Sequence, residues 1–263
     1  MRLRIVLLLL VAMTASTPGR AAELFRAIET EGMLSYLLYL PPGYEASDEP
    51  FALLFFLHGI VQKGSGSRAS LQRVAADGPF RTMRDGRWDQ RLPLIVVGPQ
   101  SSGIQPWWRG EEVRKVFTHV LDTYRVDPTR RYIAGISMGG RSIWWLAKNF
   151  SDEFAAIVPV SGWAGDLSRS CDVFRGMGIW AFHGDRDPIV AMSNGLRPIS
   201  VLGECTPPLT PAPHITVLDD VGHGQWPLVF QNDHHDTHVG GDGEPYSNIY
   251  RWLLSHQKPR ARD

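Results

Sequence analysis

Apolar residues fall along this chain in short dense runs separated by turn residues, and the runs alternate between two periods. Leu34 to Leu40 is apolar and aromatic and stops at Pro41-Pro42-Gly43, which predicts a strand ended by a turn. Phe51 to Leu57 is apolar throughout, the pattern of a strand covered on both faces, and Leu94 to Gly98 repeats it. Glu111 to Tyr124 changes period: Val113, Val116, Phe117, Val120 and Leu121 fall on one helical face. Asp127-Pro128 ends that helix. Arg131-Tyr132-Ile133-Ala134 then predicts a buried strand, and Gly140 to Asn149 a helix. Ala155 to Val160, Ile179 to Phe182 and His214 to Leu218 predict three more strands, and Asn248 to His256 a last helix. Strands and helices alternating through short connections predict an α/β architecture, a doubly wound, mostly parallel sheet with helices on both faces. No repeat, long linker or charge block divides the chain, so residues 22–263 are expected to form a single domain.

The first residues stand apart from this pattern. Met1-Arg2-Leu3-Arg4 is basic, Ile5 to Met13 is almost wholly apolar, and Gly19-Arg20-Ala21 offers a small-residue cleavage site. That is the layout of a secretory signal peptide over residues 1–21, with an apolar run too short to span a bilayer comfortably. The mature chain is therefore expected to be secreted or periplasmic, without a membrane span; a retained lipid-anchoring helix is the alternative. The 263 residues are 43% hydrophobic and 21% charged, enough for a large core. Basic and acidic residues balance at 27 each; removing residues 1–21 takes away Arg2, Arg4 and Arg20 and no acid, leaving 24 against 27, a net of −3. Nothing in that balance suggests a nucleic-acid partner. The two cysteines, Cys171 and Cys205, would be free to pair in an exported protein, and a loop of that length is worth roughly 3–4 kcal/mol; two free buried thiols are the alternative. Neither has metal-site or redox-motif spacing.

The densest chemical signal is Gly135-Ile136-Ser137-Met138-Gly139, between a predicted strand and a predicted helix. Gly-x-Ser-x-Gly in that setting is the nucleophile elbow: the turn is so sharp that the serine takes strained backbone angles, and the glycines keep Cβ atoms out of the strand–helix crossing. On this topology an acid and then a histidine should follow at the carboxyl ends of later strands. His183-Gly184-Asp185-Arg186-Asp187-Pro188 follows one predicted strand, and Asp219-Asp220-Val221-Gly222-His223-Gly224-Gln225-Trp226 follows the last. A serine hydroxyl is a poor nucleophile at neutral pH; His223 would take its proton, and a buried carboxylate would orient and stabilise the ring. Asp187 is read as that acid, with Asp185 beside Gly184 as a loop-capping carboxylate. His183 is read as structural beneath the acid loop, and His119 and His256 as facing solvent. Ser161 also follows a strand but lacks the glycine spacing. The oxyanion needs backbone donors, assigned to the N–H of Met138 after the nucleophile and of Ile60 in Leu57-His58-Gly59-Ile60.

With these motifs in place, the chain resembles the α/β-hydrolase superfamily. Within it, the resemblance is to secreted carboxylesterases and predicted peptidases related to dienelactone hydrolase, feruloyl esterases and polyhydroxyalkanoate depolymerases. It runs from about Leu34 to His256 and also rests on Tyr39-Leu40-Pro41-Pro42-Gly43-Tyr44, Val97-Gly98-Pro99-Gln100 with Trp107-Trp108, and Phe154 to Gly162. It implies an α/β-hydrolase fold, Ser137, Asp187 and His223 at the triad positions, and Ile60 and Met138 at the oxyanion hole.

One segment departs from that pattern. About twenty residues separate the histidine loop from the last helix, and residues 232–243 among them are rich in His, Asp and Gly. Such density could hold a divalent metal, but a polar surface loop is the reading preferred, so no metal and no cofactor are expected. Trp107, Trp108, Trp163 and Trp226 lie on loops around the site and suggest an apolar or sugar-stacking rim for substrate; core packing is the alternative for each. Few charges sit beside them in sequence, which argues against a strongly ionic substrate. The expectation is a serine esterase acting on small-molecule or polymer-linked esters. A peptidase or acyltransferase of the same fold, or a catalytically silent glycan- or polymer-binding module, are the alternatives.

Overall fold

The computed structural model describes residues 24–104, 106–224 and 226–259, so the expected signal peptide at 1–21 lies outside the described residues. Strands β1 (Arg26–Ile28), β2 (Tyr36–Tyr39), β3 (Phe51–Leu57), β4 (Leu94–Pro99), β5 (Val126–Ile136), β6 (Ala156–Val160), β7 (Gly178–Gly184) and β8 (His214–Leu218) form one sheet in the order β1-β2-β4-β3-β5-β6-β7-β8. β2 runs antiparallel to its neighbours β1 and β4, and the other pairings are parallel. The helices are α1 (Arg68–Leu71), α2 (Gly78–Arg84), α3 (Gly110–Thr123), α4 (Met138–Asn149), α5 (Cys171–Phe174), α6 (Met192–Gly203), α7 (Pro227–Phe230) and α8 (Ile249–Leu254). A small antiparallel pair, β9 (His238–Val239) and β10 (Pro245–Tyr246), lies between α7 and α8.

The continuous apolar run of β3 is explained by two cores. Ala52, Leu54 and Phe56 point to one face, packed with Phe80 of α2, Phe230 of α7 and Trp252 of α8. Leu53, Phe55 and Leu57 point to the other, with Val116 and Phe117 of α3 and Ile143 and Leu146 of α4. A strand alternates its side chains between faces, so only a strand buried on both sides is apolar at every position. The doubly wound arrangement expected from the sequence holds. Cys171 at the start of α5 is bonded to Cys205 just beyond α6, tying those two helices together over the second core.

Two expectations need correction. The strand into the elbow starts at Val126 rather than Arg131, because Val126 already pairs with Phe51 of β3, ahead of a register irregularity that ends at Leu53/Arg131. Pro128 sits exposed within that irregular stretch, where a missing N–H costs no ladder bond, and Asp127 accepts from the Thr129 N–H at 2.9 Å. His256 is buried, not solvent-facing: the chain after α8 folds back under the sheet, where the Tyr132 hydroxyl donates to the His256 carbonyl at 2.9 Å.

Candidate active site

The site is built at the carboxyl ends of β3, β5, β7 and β8. β5 passes into α4 through Ser137 alone, whose φ of 51° and ψ of −113° lie outside the regions open to most L-residues. Its N–H is pinned to the Val160 carbonyl at 2.9 Å. The crossing leaves no room for side chains: a Cβ on Gly139 would stand 2.0 Å from the Leu57 carbonyl oxygen, and one on Gly135 2.8 Å from the same atom. These contacts are the physical reason for both glycines of the motif.

Around Ser137 the residues picked from sequence come together. His223 Nε2 lies 2.8 Å from Ser137 Oγ, and His223 Nδ1 lies 2.6 Å from Asp187 Oδ2. Asp187 Oδ1 accepts from the N–H groups of Ile189 and Val190 at 2.9 and 2.8 Å. Burial alone would raise the Asp187 carboxyl, but the His223 hydrogen bond and those two N–H donors outweigh it and hold the group below its usual range. Asp185 is exposed and turned away; its Oδ1 accepts from the Val221 N–H at 3.1 Å. His183 lies buried under the acid loop, with Nε2 2.8 Å from the Val190 carbonyl and 3.4 Å from Asp187 Oδ2.

Met138 opens α4 and Ile60 opens a short 3-10 turn at Ile60–Gln62, so both present N–H groups that have no partner within their own helix. The Ile60 loop lies against Ser137: a Cβ on Gly59 would be 3.6 Å from Ser137 Cβ. His58 orients that loop, a role the sequence reading missed. Its buried ring accepts from the Ser101 N–H at Nε2 (3.0 Å) and donates from Nδ1 to the Gly59 carbonyl (2.6 Å). In a trans peptide the C=O and the next N–H point opposite ways, so holding the Gly59 carbonyl fixes the direction of the Ile60 N–H.

The four tryptophans divide. Trp108 is buried, donating from Nε1 to the His58 carbonyl at 3.1 Å. Trp226 is buried edge-on to the His223 ring at 5.5 Å and donates to Ser161 Oγ at 3.4 Å. Trp107 and Trp163 instead meet each other edge to face at the surface, with the Arg141 guanidinium stacked on both rings. Arg141 comes from α4, so reading charges along the tryptophan loops could not find it.

The polar segment 232–243 is largely engaged with the protein. Asp236 accepts from Thr216 and lies 3.1 Å from His214 Nε2; His238 stacks on His214 at 4.5 Å; His234 packs against Trp180 and Phe182. Among the described residues no group of three or more His, Cys, Asp or Glu side chains is placed to hold a metal ion. Burial lowers His58 to about 4 and, helped by the nearby His214 and His256, His238 to about 4; His234 and His256 are lowered too, chiefly by burial. Unfolded histidines titrate near 6.5, so between roughly pH 6.5 and 4 the unfolded chain binds protons that the folded chain refuses. Stability is expected to fall as pH drops through that window, by up to roughly 3 kcal/mol for the fully buried His58 alone. Urea midpoints measured from pH 7 to 4.5 test this; a flat profile would contradict it.

The sequence matches the model of the Esterase family, described as "Putative esterase", over residues 29–185. Feruloyl esterase C of Emericella nidulans is 27% identical over 211 residues, covering 74% of this chain and 73% of the relative. Among solved structures, a thermostable esterase aligns at 22% identity and TM-score 0.58 over 89% of this chain and 63% of its own, so this chain spans less than two thirds of that esterase. The feruloyl esterase module of Clostridium thermocellum, solved with sinapinate, aligns at 19% identity and TM-score 0.59 over 89% of both chains. The S-formylglutathione hydrolase of Staphylococcus aureus gives 14% identity and TM-score 0.58, over 88% of this chain and 97% of its own. These neighbours share the α/β-hydrolase fold.

Proposed function

The chain belongs to the esterase family, and from that premise we propose that it hydrolyses carboxylic esters through a covalent acyl-enzyme on Ser137. The observation that carries the reading is the unbroken chain of hydrogen bonds from Ser137 Oγ through His223 to Asp187. His223 Nε2 takes the hydroxyl proton as Oγ attacks the ester carbonyl carbon. The carbonyl oxygen becomes an oxyanion and accepts from the N–H groups of Ile60 and Met138. The carbon–oxygen bond to the alcohol then breaks, and His223 gives its proton to the departing alkoxide. Water attacks the acyl-enzyme, losing a proton to His223, which returns it to Ser137 Oγ as the acid leaves. Asp187 stays ionised throughout and stabilises the imidazolium.

Residues 22–263 form one hydrolase domain in this reading. It is exported on the leader at 1–21; the Cys171–Cys205 bond supports an oxidising compartment, and among the described residues no helix is long and apolar enough to cross a membrane. The substrate is a small-molecule or polymer-linked ester. Since two of the similar proteins are named feruloyl esterases, methyl ferulate belongs in the first panel beside p-nitrophenyl acetate, butyrate and octanoate. A fluorophosphonate probe should label the mature protein once, at Ser137. An unlabelled, inactive protein would overturn the reading and bring forward a binding role.

A further inference from the structure

Arg141 lies one helical turn beyond Ser137, its backbone N–H donating to the Ser137 carbonyl at 2.9 Å. Its guanidinium carbon stands 4.6 Å from the Trp107 ring centroid and 5.5 Å from that of Trp163. Stacking occupies the faces of a guanidinium and leaves its five in-plane N–H donors for another partner. Arg125 shows an alternative with an acceptor: it stacks on the Tyr44 ring at 4.0 Å and also donates to the Tyr44 carbonyl. Arg141 has no such acceptor. Among the described residues no carboxylate stands within ion-pair distance of it, and nothing accepts a hydrogen bond from its guanidinium.

The stacked trio separates two cavities along the outer side of α4. One of about 250 Å³ is bounded by Arg141, Trp145, Lys148, Trp163 and Asp166, and one of about 300 Å³ by Trp107, Arg141 and Trp145. Trp107, although packed by Arg141 and Trp163, and Trp145, although edge-on to Phe150, still leave 42% and 48% of their surface in water, a large share for indoles. The charged groups are Arg141 and Lys148 against Asp166, whose Oδ1 already accepts from the Ser168 N–H at 2.9 Å. The lining is aromatic and net positive.

We propose that these paired cavities bind a carboxylate-bearing ring on the non-reacting part of the ester substrate. The ring lies on an exposed indole, and its carboxylate takes the paired N–H donors of Arg141. The proposal rests on Ser137 as the nucleophile, because it is distance from Ser137 that makes this surface part of the site. At 1.5 Å per residue, Arg141 lies about 6 Å and Trp145 about 12 Å along the helix axis from Ser137, the span of one or two rings. A uronic acid unit of a glycan and a free aromatic acid share this chemistry.

The test compares the mono-p-nitrophenyl ester of terephthalic acid with p-nitrophenyl benzoate, its neutral counterpart. Arg141→Ala should lower the acidic-to-neutral ratio of kcat/KM by about 30-fold, mainly through KM, and Arg141→Lys by less, since lysine keeps the charge but not the fork. A ratio within about two-fold of wild type in Arg141→Ala overturns the proposal while leaving the esterase reading intact. If the wild type cleaves neither benzoate, binding decides the subsite, and the esterase reading stands or falls on the fluorophosphonate label and the panel above. Calorimetry of trigalacturonate and of terephthalate with Ser137→Ala protein should give heat that disappears in Ser137→Ala/Arg141→Ala. Heat from trigalacturonate alone identifies a glycan as the source, heat from both a simpler acid, and heat from neither overturns the subsite.

Discussion

Replacing Ser137 by alanine is expected to lower kcat/KM on p-nitrophenyl butyrate by a factor on the order of 10⁴ or more, with the fold intact. The change removes Oγ, the atom 2.8 Å from His223 Nε2, and leaves the Ile60 and Met138 N–H groups, the proposed oxyanion donors, untouched. What survives should be the small rate owed to those donors and to binding. The same position offers a second readout. Ser137 is held at φ 51°, and such backbone strain costs about 1–3 kcal/mol in a residue with a Cβ. Alanine keeps that strain and glycine relieves it, so Ser137→Gly should melt a few degrees above Ser137→Ala although both are inactive. Equal melting temperatures would mean that the elbow stores no strain.

Asp187→Asn should cost about 10⁴ in kcat, and Asp185→Asn no more than about ten-fold. The two acids sit two residues apart on one loop and differ in what they hold. Asp187 accepts from His223 Nδ1, which leaves Nε2 bare to take the serine proton. An asparagine amide turned towards the ring would donate instead, moving the ring proton to Nε2, where it blocks that step. Asp185 accepts only from the Val221 N–H, and asparagine keeps that acceptor. Because Asp187 is held below the usual carboxylate range, it stays ionised in mild acid, so the acid limb of the pH–rate profile belongs to another group. A larger loss at Asp185 than at Asp187 would reverse the assignment.

Much of this was legible in the sequence because it is local. The elbow needs only a strand, five residues and a helix, and its glycines answer clashes with Leu57 that any such crossing produces. β3 ends where its apolar run ends, since burial on both faces of the sheet is what the run encodes. The acid and histidine were legible as residues on loops after strands, a consequence of chain order alone. The remainder depends on packing between distant segments. α6 hides behind Gly195 and Pro198, and that glycine is there because a Cβ would strike His183 Nδ1 at 2.2 Å. The inserted segment was read as a polar surface loop, but His234 and His238 pack on Trp180, Trp252 and His214, brought from other elements. Arg141 drew no reading in the sequence, because only the fold brings its helix against the loops that carry Trp107 and Trp163.

The acid and histidine loops are stitched to each other more firmly than either is to the serine. The Arg186 N–H donates to the Val221 carbonyl at 3.0 Å, Asp185 takes the Val221 N–H, Arg186 pairs with Asp220, and a Cβ on Gly184 would strike the Val221 carbonyl oxygen at 2.2 Å. Mechanically they are one jaw, and Ser137 on its helix is the other. In the proposed mechanism, any movement of one of these loops would carry the other, so the imidazole would keep its carboxylate whatever its distance from Oγ. On that reading the contact most easily loosened is the one to Ser137 and the best guarded is the orientation of the His223 ring.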